Sequence, residues 1–171
     1  MNVFLTGEVQ VGKSTAIRRF LAERPELVPG GFVTVSFPSR EPGARWDVYI
    51  LPARWSERDV IPGRRVGLRG GAGTVFPAAF DKEGVGLLAP PAGCRLLLMD
   101  ELGRMERTAQ VFCRAVLAAL DGPVPILGVV KPESNPLLDA VRAHPRTVLL
   151  PVTAENRDGI PGQIARHLGP L

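Results

Sequence analysis

Residues 7–14 read Gly7-Glu8-Val9-Gln10-Val11-Gly12-Lys13-Ser14, with Thr15 behind them. The pattern is GxxxxGK[ST]. The apolar run Val3-Phe4-Leu5 precedes it. A helix-period segment over residues 13–24 follows, with Ala16, Ile17, Phe20 and Leu21 on one face and Pro25 as the stop. Strand, glycine-bearing loop and helix form the context in which this spacing cradles a phosphate. Gly7 and Gly12 free the backbone to wrap an anion, and successive N–H groups then point inward at a helix start. Lys13 brings a compact ammonium to the β- and γ-phosphates, and the Ser14 hydroxyl suits Mg²⁺.

A second apolar run ends in acids: Leu96-Leu97-Leu98-Met99-Asp100-Glu101. A buried strand with an acid at its C-terminal end is a Walker B signature. It would set Asp100 beside the phosphate loop, holding Mg²⁺ together with Ser14. Glu101 is then placed to polarise an attacking water. Asp100-Glu101-Leu102-Gly103 also fits the DxxG pattern of guanine-nucleotide switches. The companion [NT]KxD is absent, because none of the three lysines sits in it.

Two more apolar runs, Pro125–Val130 and Thr147–Val152, are continuous rather than alternating, as strands covered on both faces are. Helix-period segments separate them. Residues 107–120 place Phe112, Val116 and Leu120 at i, i+4 and i+8. Residues 136–143 start from Asn135 as N-cap with Pro136 in the first turn. Residues 158–168 space Ile160, Ile164 and Leu168 alike. The order predicts a three-layer α/β domain over residues 1–171 with a mostly parallel central sheet.

Residues 30–94 differ, being rich in Gly, Pro and Arg. Phe32–Phe37 and Trp46–Leu51 read as strands joined by a turn at Glu41-Pro42-Gly43, so a β-hairpin and loop insertion is expected within the same domain. Arg69 to Val75 reads as a mobile loop. Trp46, Tyr49 and Trp55 fit the core and rim of the hairpin.

The chain has 171 residues, 45% of them apolar and 22% charged, enough for one core and too few charges for disorder. The net charge is +4. Of 21 basic residues only Lys13, Lys82 and Lys131 are lysines. Seven arginines fall between Arg40 and Arg69, interleaved with Glu41, Asp47, Glu57 and Asp59, and no run of five like charges occurs. Nucleic acid is therefore not the expected partner. No apolar stretch reaches 18 residues, so no membrane span is expected. Cys94 and Cys113 form no metal or redox motif and read as two buried thiols of a reducing compartment, which suits a cytoplasmic protein.

Three segments together carry a resemblance. Phe4-Leu5-Thr6-Gly7 through Gly12-Lys13-Ser14-Thr15 is the first. Met99-Asp100-Glu101-Leu102-Gly103-Arg104-Met105-Glu106 is the second and the most specific. Val152-Thr153-Ala154-Glu155-Asn156-Arg157-Asp158 is the third. Gly31-Phe32-Val33-Thr34 with Arg45 is a fainter match. The chain resembles, over nearly its whole length, the small P-loop nucleoside-triphosphatases of the thermophilic or cancer-related type. The resemblance implies a RecA-like P-loop fold and Mg²⁺-dependent hydrolysis of nucleoside triphosphates to diphosphate and phosphate. It carries nucleotide binding to residues 7–15 and to Leu98-Met99-Asp100-Glu101-Leu102-Gly103-Arg104-Met105. Gln10 departs from the family, standing where Gly or Pro is usual.

The remaining candidates are open. Lys131 follows a strand beside the γ-phosphate and either neutralises charge there or faces water. Arg157 either stacks on a nucleobase or pairs with Asp158. Arg104 either reaches phosphate or faces solvent. His144 and His167 fit helix ends. A kinase on the same scaffold would need an acceptor site, for which residues 40–75 are long enough. The residues expected to act are Lys13 and Glu101, with Ser14 and Asp100 on the metal.

Overall fold

The computed structural model describes residues 1–171. Eight strands form one sheet: β1 (Asn2–Thr6), β2 (Gly30–Pro38), β3 (Trp46–Pro52), β4 (Arg65–Arg69), β5 (Thr74–Val75), β6 (Leu97–Leu102), β7 (Ile126–Val130) and β8 (Thr147–Pro151). Their order is β5-β4-β3-β2-β6-β7-β1-β8. The five strands from β2 to β8 in that order run parallel, while β3, β4 and β5 extend the sheet antiparallel. The expected mostly parallel sheet with a hairpin insertion is thus present.

Each central strand serves two cores, because successive side chains point to opposite faces. On β1, Phe4 enters one core while Val3 and Leu5 enter the other. Leu97 and Met99 of β6 go with Phe4, and Leu96 and Leu98 with Val3. All five residues of β7 are buried. Gly128, at its centre, leaves room for the Phe4 ring, since a Cβ there would lie 2.6 Å from it.

The second core is covered by α1 (Lys13–Ala22), through Ala16, Ile17 and Phe20, and by α6 (Ile160–Leu168). The first is covered by α4 (Gln110–Asp121) and α5 (Pro136–Ala143), and by a segment that the sequence did not announce. That segment is a broken helix: α2 (Pro77–Ala79), a π-helical stretch over Phe80–Gly84, and α3 (Val85–Leu88). Gly84 and Gly86 weaken any helical reading there. Packing explains Gly84, because a Cβ on it would lie 2.8 Å from the Phe112 ring. Phe112 in turn packs on Phe80 and Phe32, with ring centroids 5.2 and 5.5 Å apart. Such contacts are worth about 1 kcal/mol each beyond area burial. Asp81 Oδ1 also accepts the Phe112 N–H at 2.9 Å, capping an α4 start whose own cap residue, Ala109, has no oxygen to offer.

Two expectations need correction. The stretch 69–75 is not loop throughout: Arg69 ends β4, Thr74 and Val75 form β5, and residues 70–73 are the turn between them, with Gly70, Gly71 and Gly73 at positive φ. Strand β4 was hidden because only Val66 and Gly67 of its five residues are buried, too short an alternation to read. Cys94 and Cys113 are half-buried free thiols, not fully buried ones. Asn135 does cap α5, accepting the Leu138 N–H at 3.0 Å. His144 ends α5 and meets Asp121 at 3.1 Å. Trp46 and Trp55 lie at the rim, with Phe37 edge-on to both Tyr49 and Trp55. No helix is long and apolar enough to cross a membrane.

Candidate active site

The loop between β1 and α1 takes the backbone form that its glycines permit. Gly7 has φ 138° and lies under the Val152 carbonyl, where a Cβ would come within 2.5 Å; Gly12 has φ 113°. Gln10 adopts φ 62°, so the residue that departs from the family pattern still enters the left-handed region. That conformation costs an L-residue about 1–2 kcal/mol. Lys13 folds over the loop, and its Nζ donates to the Gly7 carbonyl at 2.8 Å and to the Glu8 carbonyl at 2.5 Å. Its side chain is nearly buried, and desolvation lowers its pKa even though Glu101 and Asp100 act in the other direction.

The acids sit at an irregularity of β6. Met99 pairs with Gly128 and Leu102 with Val130, so two residues, Asp100 and Glu101, face the single Val129. A strand would turn consecutive side chains to opposite faces, and this bulge removes that constraint. Strand β6 therefore runs two residues past Asp100 rather than ending at it. Ser14 Oγ donates to Asp100 Oδ1 at 3.4 Å. Burial, and then the neighbouring Glu101, push the Asp100 carboxyl up to about 6, against the Ser14 hydrogen bond and the charges of Arg18 and Lys13. Glu101 Oε1 lies 2.9 Å from Lys131 Nζ, both side chains being about one-third exposed. Lys131 is thus bound to an acid rather than solvated alone.

Lys13, Ser14, Glu101 and Lys131 line a cavity of about 500 Å³. The loop contributes Gly7, Val9, Gln10, Gly12, Lys13, Ser14 and Thr15; Glu101, Arg104, Lys131 and Glu133 face them, and Arg69 enters from the tip of β4. Of the residues predicted from sequence, Glu8, Val11 and Asp100 do not line it, although the Glu8 carbonyl holds Lys13 and Asp100 lies behind it against Ser14. Leu98, Met99 and Leu102 put their side chains into the two cores, as the alternation of a buried strand requires, and not into the cavity. Gly103 is buried and does not line it either. Met105 packs against Gly67 of β4, where a Cβ would meet its methyl group at 2.4 Å. Arg157 lies with its methylene carbons beside Gly12 and makes no pair with Asp158, which instead binds Arg19 at 2.9 Å. Asn156 fastens its own turn, accepting from Thr153 N–H and donating to the Pro151 carbonyl, both at 2.8 Å.

Sequence reading missed four supports. Glu106 is buried and accepts the Gly103 N–H at 2.9 Å, fixing the turn that carries Arg104. An acid three residues after a turn start, reaching back to its N–H, is the capping-box spacing and was there to be read. Asn135 Nδ2 donates to the Gly103 carbonyl at 3.2 Å, tying α5 to the same turn. Arg142 binds the Lys131 and Glu133 carbonyls and so fixes the loop behind Lys131. Arg69 carried no signal that distinguished it from its six neighbours.

A phosphate cradle, two acids at a strand bulge and a fringe of cations are features of nucleotide hydrolases, and the relatives agree. Nucleoside-triphosphatase THEP1 of Methanosarcina barkeri is 31% identical across 98% of this chain and 97% of its own length. The crystal structure of THEP1 from Aquifex aeolicus superposes with a TM-score of 0.70 over 99% of this chain and all of the other, at 22% identity, and so shares the fold. The solution structure of a human cancer-related nucleoside triphosphatase superposes with a TM-score of 0.67 at 28% identity, covering 96% of this chain and 95% of its own. The family described as NTPase matches residues 2–165, and the chain belongs to it.

Proposed function

We propose that the protein is a Mg²⁺-dependent nucleoside-triphosphatase, cleaving the β–γ bond by in-line attack of water to give nucleoside diphosphate and phosphate. The observation that carries this is the meeting of Glu101, Lys131 and Lys13 over one phosphate loop: a carboxylate able to take a proton from water, with ammonium groups beside it. Lys13 contributes positive charge where it accumulates on the transferred phosphoryl, in a partly desolvated setting that strengthens the attraction. Glu101 orients the water and accepts its proton. Lys131 holds the Glu101 carboxylate in place and adds a second positive charge on that side. Arg104 and Arg69 face the phosphate end.

The donors fit Mg²⁺. Ser14 Oγ and Asp100 Oδ1 are a hydroxyl and a carboxylate oxygen within reach of each other, hard ligands of the kind the ion takes. No cluster of three or more His, Cys, Asp or Glu side chains forms a full cage, in keeping with an ion that draws its other ligands from phosphate and water. When bound, it adds positive charge to the β- and γ-phosphate oxygens. Relatives named nucleoside-triphosphatase along almost the whole chain favour water over a second molecule as the acceptor.

The test is phosphate release from ATP, GTP, CTP, UTP and dTTP, with Mg²⁺ and with chelator. Turnover should need the metal. Lys13→Ala and Glu101→Gln should each lower kcat by about 10²-fold, a loss of about 2.7 kcal/mol of transition-state stabilisation. Glu101→Gln should retain nucleotide binding. Full turnover in Glu101→Gln would remove Glu101 from the mechanism.

A further inference from the structure

The cavity over the phosphate loop does not end at the γ-phosphate side. Arg69, Arg104 and Lys131 line it and also line a second concavity of about 480 Å³, set between the β4–β5 hairpin and the turn after β6. Arg107, Thr74 and Thr108 line only this second space. No carboxylate faces it.

The arginines here differ from those nearby. Arg64 is paired with Asp59 and Glu83, and Arg65 with Glu41 and Asp47. Arg69, Arg104 and Arg107 form no ion pair. Like charges gathered in one concavity repel, and an anion among them removes that cost. Guanidinium forks match the oxygens of phosphate, and the two threonine hydroxyls supply further donors. The same three cations, Arg69, Arg104 and Lys131, thus join the two spaces into one continuous positive surface.

We infer that the second concavity is an anion subsite for a phosphate dianion lying beyond the γ-phosphate of the bound nucleotide. Two sources supply that chemistry: the phosphate released by hydrolysis, or the phosphate group of a second small molecule. The inference rests on the hydrolytic reading above and deepens it. Arg107 belongs to the subsite and not to the nucleotide cavity, so it separates the two.

The experiment measures initial hydrolysis rates against added orthophosphate at constant ionic strength, for the unsubstituted protein, Arg107→Ala and Arg107→Lys. Orthophosphate should lower the limiting rate, not only the apparent affinity for nucleotide, because it binds alongside the substrate. Arg107→Ala should leave the phosphate-free rate unchanged and weaken phosphate inhibition about five- to tenfold, the loss of one exposed charged hydrogen bond. Arg107→Lys should retain most of the inhibition. A parallel titration with AMP assigns the source: tighter than orthophosphate and equally dependent on Arg107 means a second molecule, weaker means the released product. Inhibition that is absent, purely competitive with nucleotide, reproduced by sodium chloride, or identical in Arg107→Ala would overturn the subsite. A protein without hydrolysis would instead overturn the catalytic reading. Calorimetric binding of orthophosphate to the unsubstituted protein and to Arg107→Ala would still decide the subsite.

Discussion

Relative to the unsubstituted protein, Glu106→Gln should gain stability as the pH rises, by about 3 kcal/mol from acid to alkaline conditions. The Glu106 side chain is 3% exposed. Burial pushes its carboxyl from 4.5 up to about 7, and the Gly103 N–H and the charge of Lys131 only partly oppose this. Below about pH 4 both the folded and the unfolded chain hold the proton, and no penalty arises. As the pH rises from 4.5 towards 7, the unfolded chain releases its proton while the folded one keeps it, so stability falls by about 1.4 kcal/mol per pH unit. Above the folded value both forms are ionised and the whole loss, about 3 kcal/mol, remains. Gln is nearly isosteric, keeps a carbonyl oxygen for Gly103 and cannot ionise. Its amide N–H groups bring a desolvation cost of about 1–3 kcal/mol, but that cost does not vary with pH. Asp100, raised to about 6, adds a pH dependence of the same sign to both proteins, which cancels in the comparison. The assay is urea unfolding followed by far-UV circular dichroism from about pH 4 to pH 8.5. The stability of Glu106→Gln minus that of the unsubstituted protein should climb by about 3 kcal/mol across the range. A difference independent of pH would refute the reasoning, and one that fell with pH would mean that Gly103 and Lys131 hold a carboxylate rather than a carboxylic acid.

Two other substitutions test the frame of the site. Asn2 is fully buried on β1 and bridges two chain segments, donating to the Leu120 carbonyl at 3.0 Å and accepting the Ile126 N–H at 3.2 Å. Asn2→Ala strands both backbone groups and should cost about 2–4 kcal/mol in urea unfolding; a loss under about 1 kcal/mol would mean that the two groups find other partners. At Gln10, φ 62° tolerates an unbranched side chain at a cost and a β-branched one poorly. Gln10→Val should lower stability by about 1–2 kcal/mol, whereas Gln10→Gly should stay within about 0.5 kcal/mol, relief of strain being offset by the entropy of glycine. Equal stability for the two variants would show that the loop does not need that backbone form.

The parts of the molecule legible in sequence were those where local chemistry leaves little choice. Gly7, Gly12, Lys13 and Ser14 announce a phosphate loop because the wrap needs glycine and the charge needs lysine. Strands β1, β6, β7 and β8 announce themselves by continuous apolar runs, Val3–Leu5, Leu97–Met99, Ile126–Val130 and Val148–Leu150, although β8, at the sheet edge, buries only Leu150. What stayed hidden depends on contacts between distant segments. The pairing of Lys131 with Glu101 follows from the registry of β6 with β7 and from the loop that Arg142 holds. The helix around Gly84 is unreadable locally, because the glycine that weakens it is demanded by Phe112 across the core. Arg69 reaches the cavity from the end of β4, where it is registered against Trp46 of β3, and β4 is too short an alternation to see in sequence.

The two cores use the same strands but different side chains, and the cradle straddles them. The phosphate loop runs into α1, which is rooted in one core, while Arg104 and Lys131 hang from segments leading to α4 and α5, rooted in the other. Between these layers the strand ends leave only polar reach across the rim of the sheet. On the reading proposed above, a triphosphate held from both sides there would act as a cross-brace, resisting shear of one helical layer over the other. Its departure in two pieces would then release the layers one after the other rather than at once.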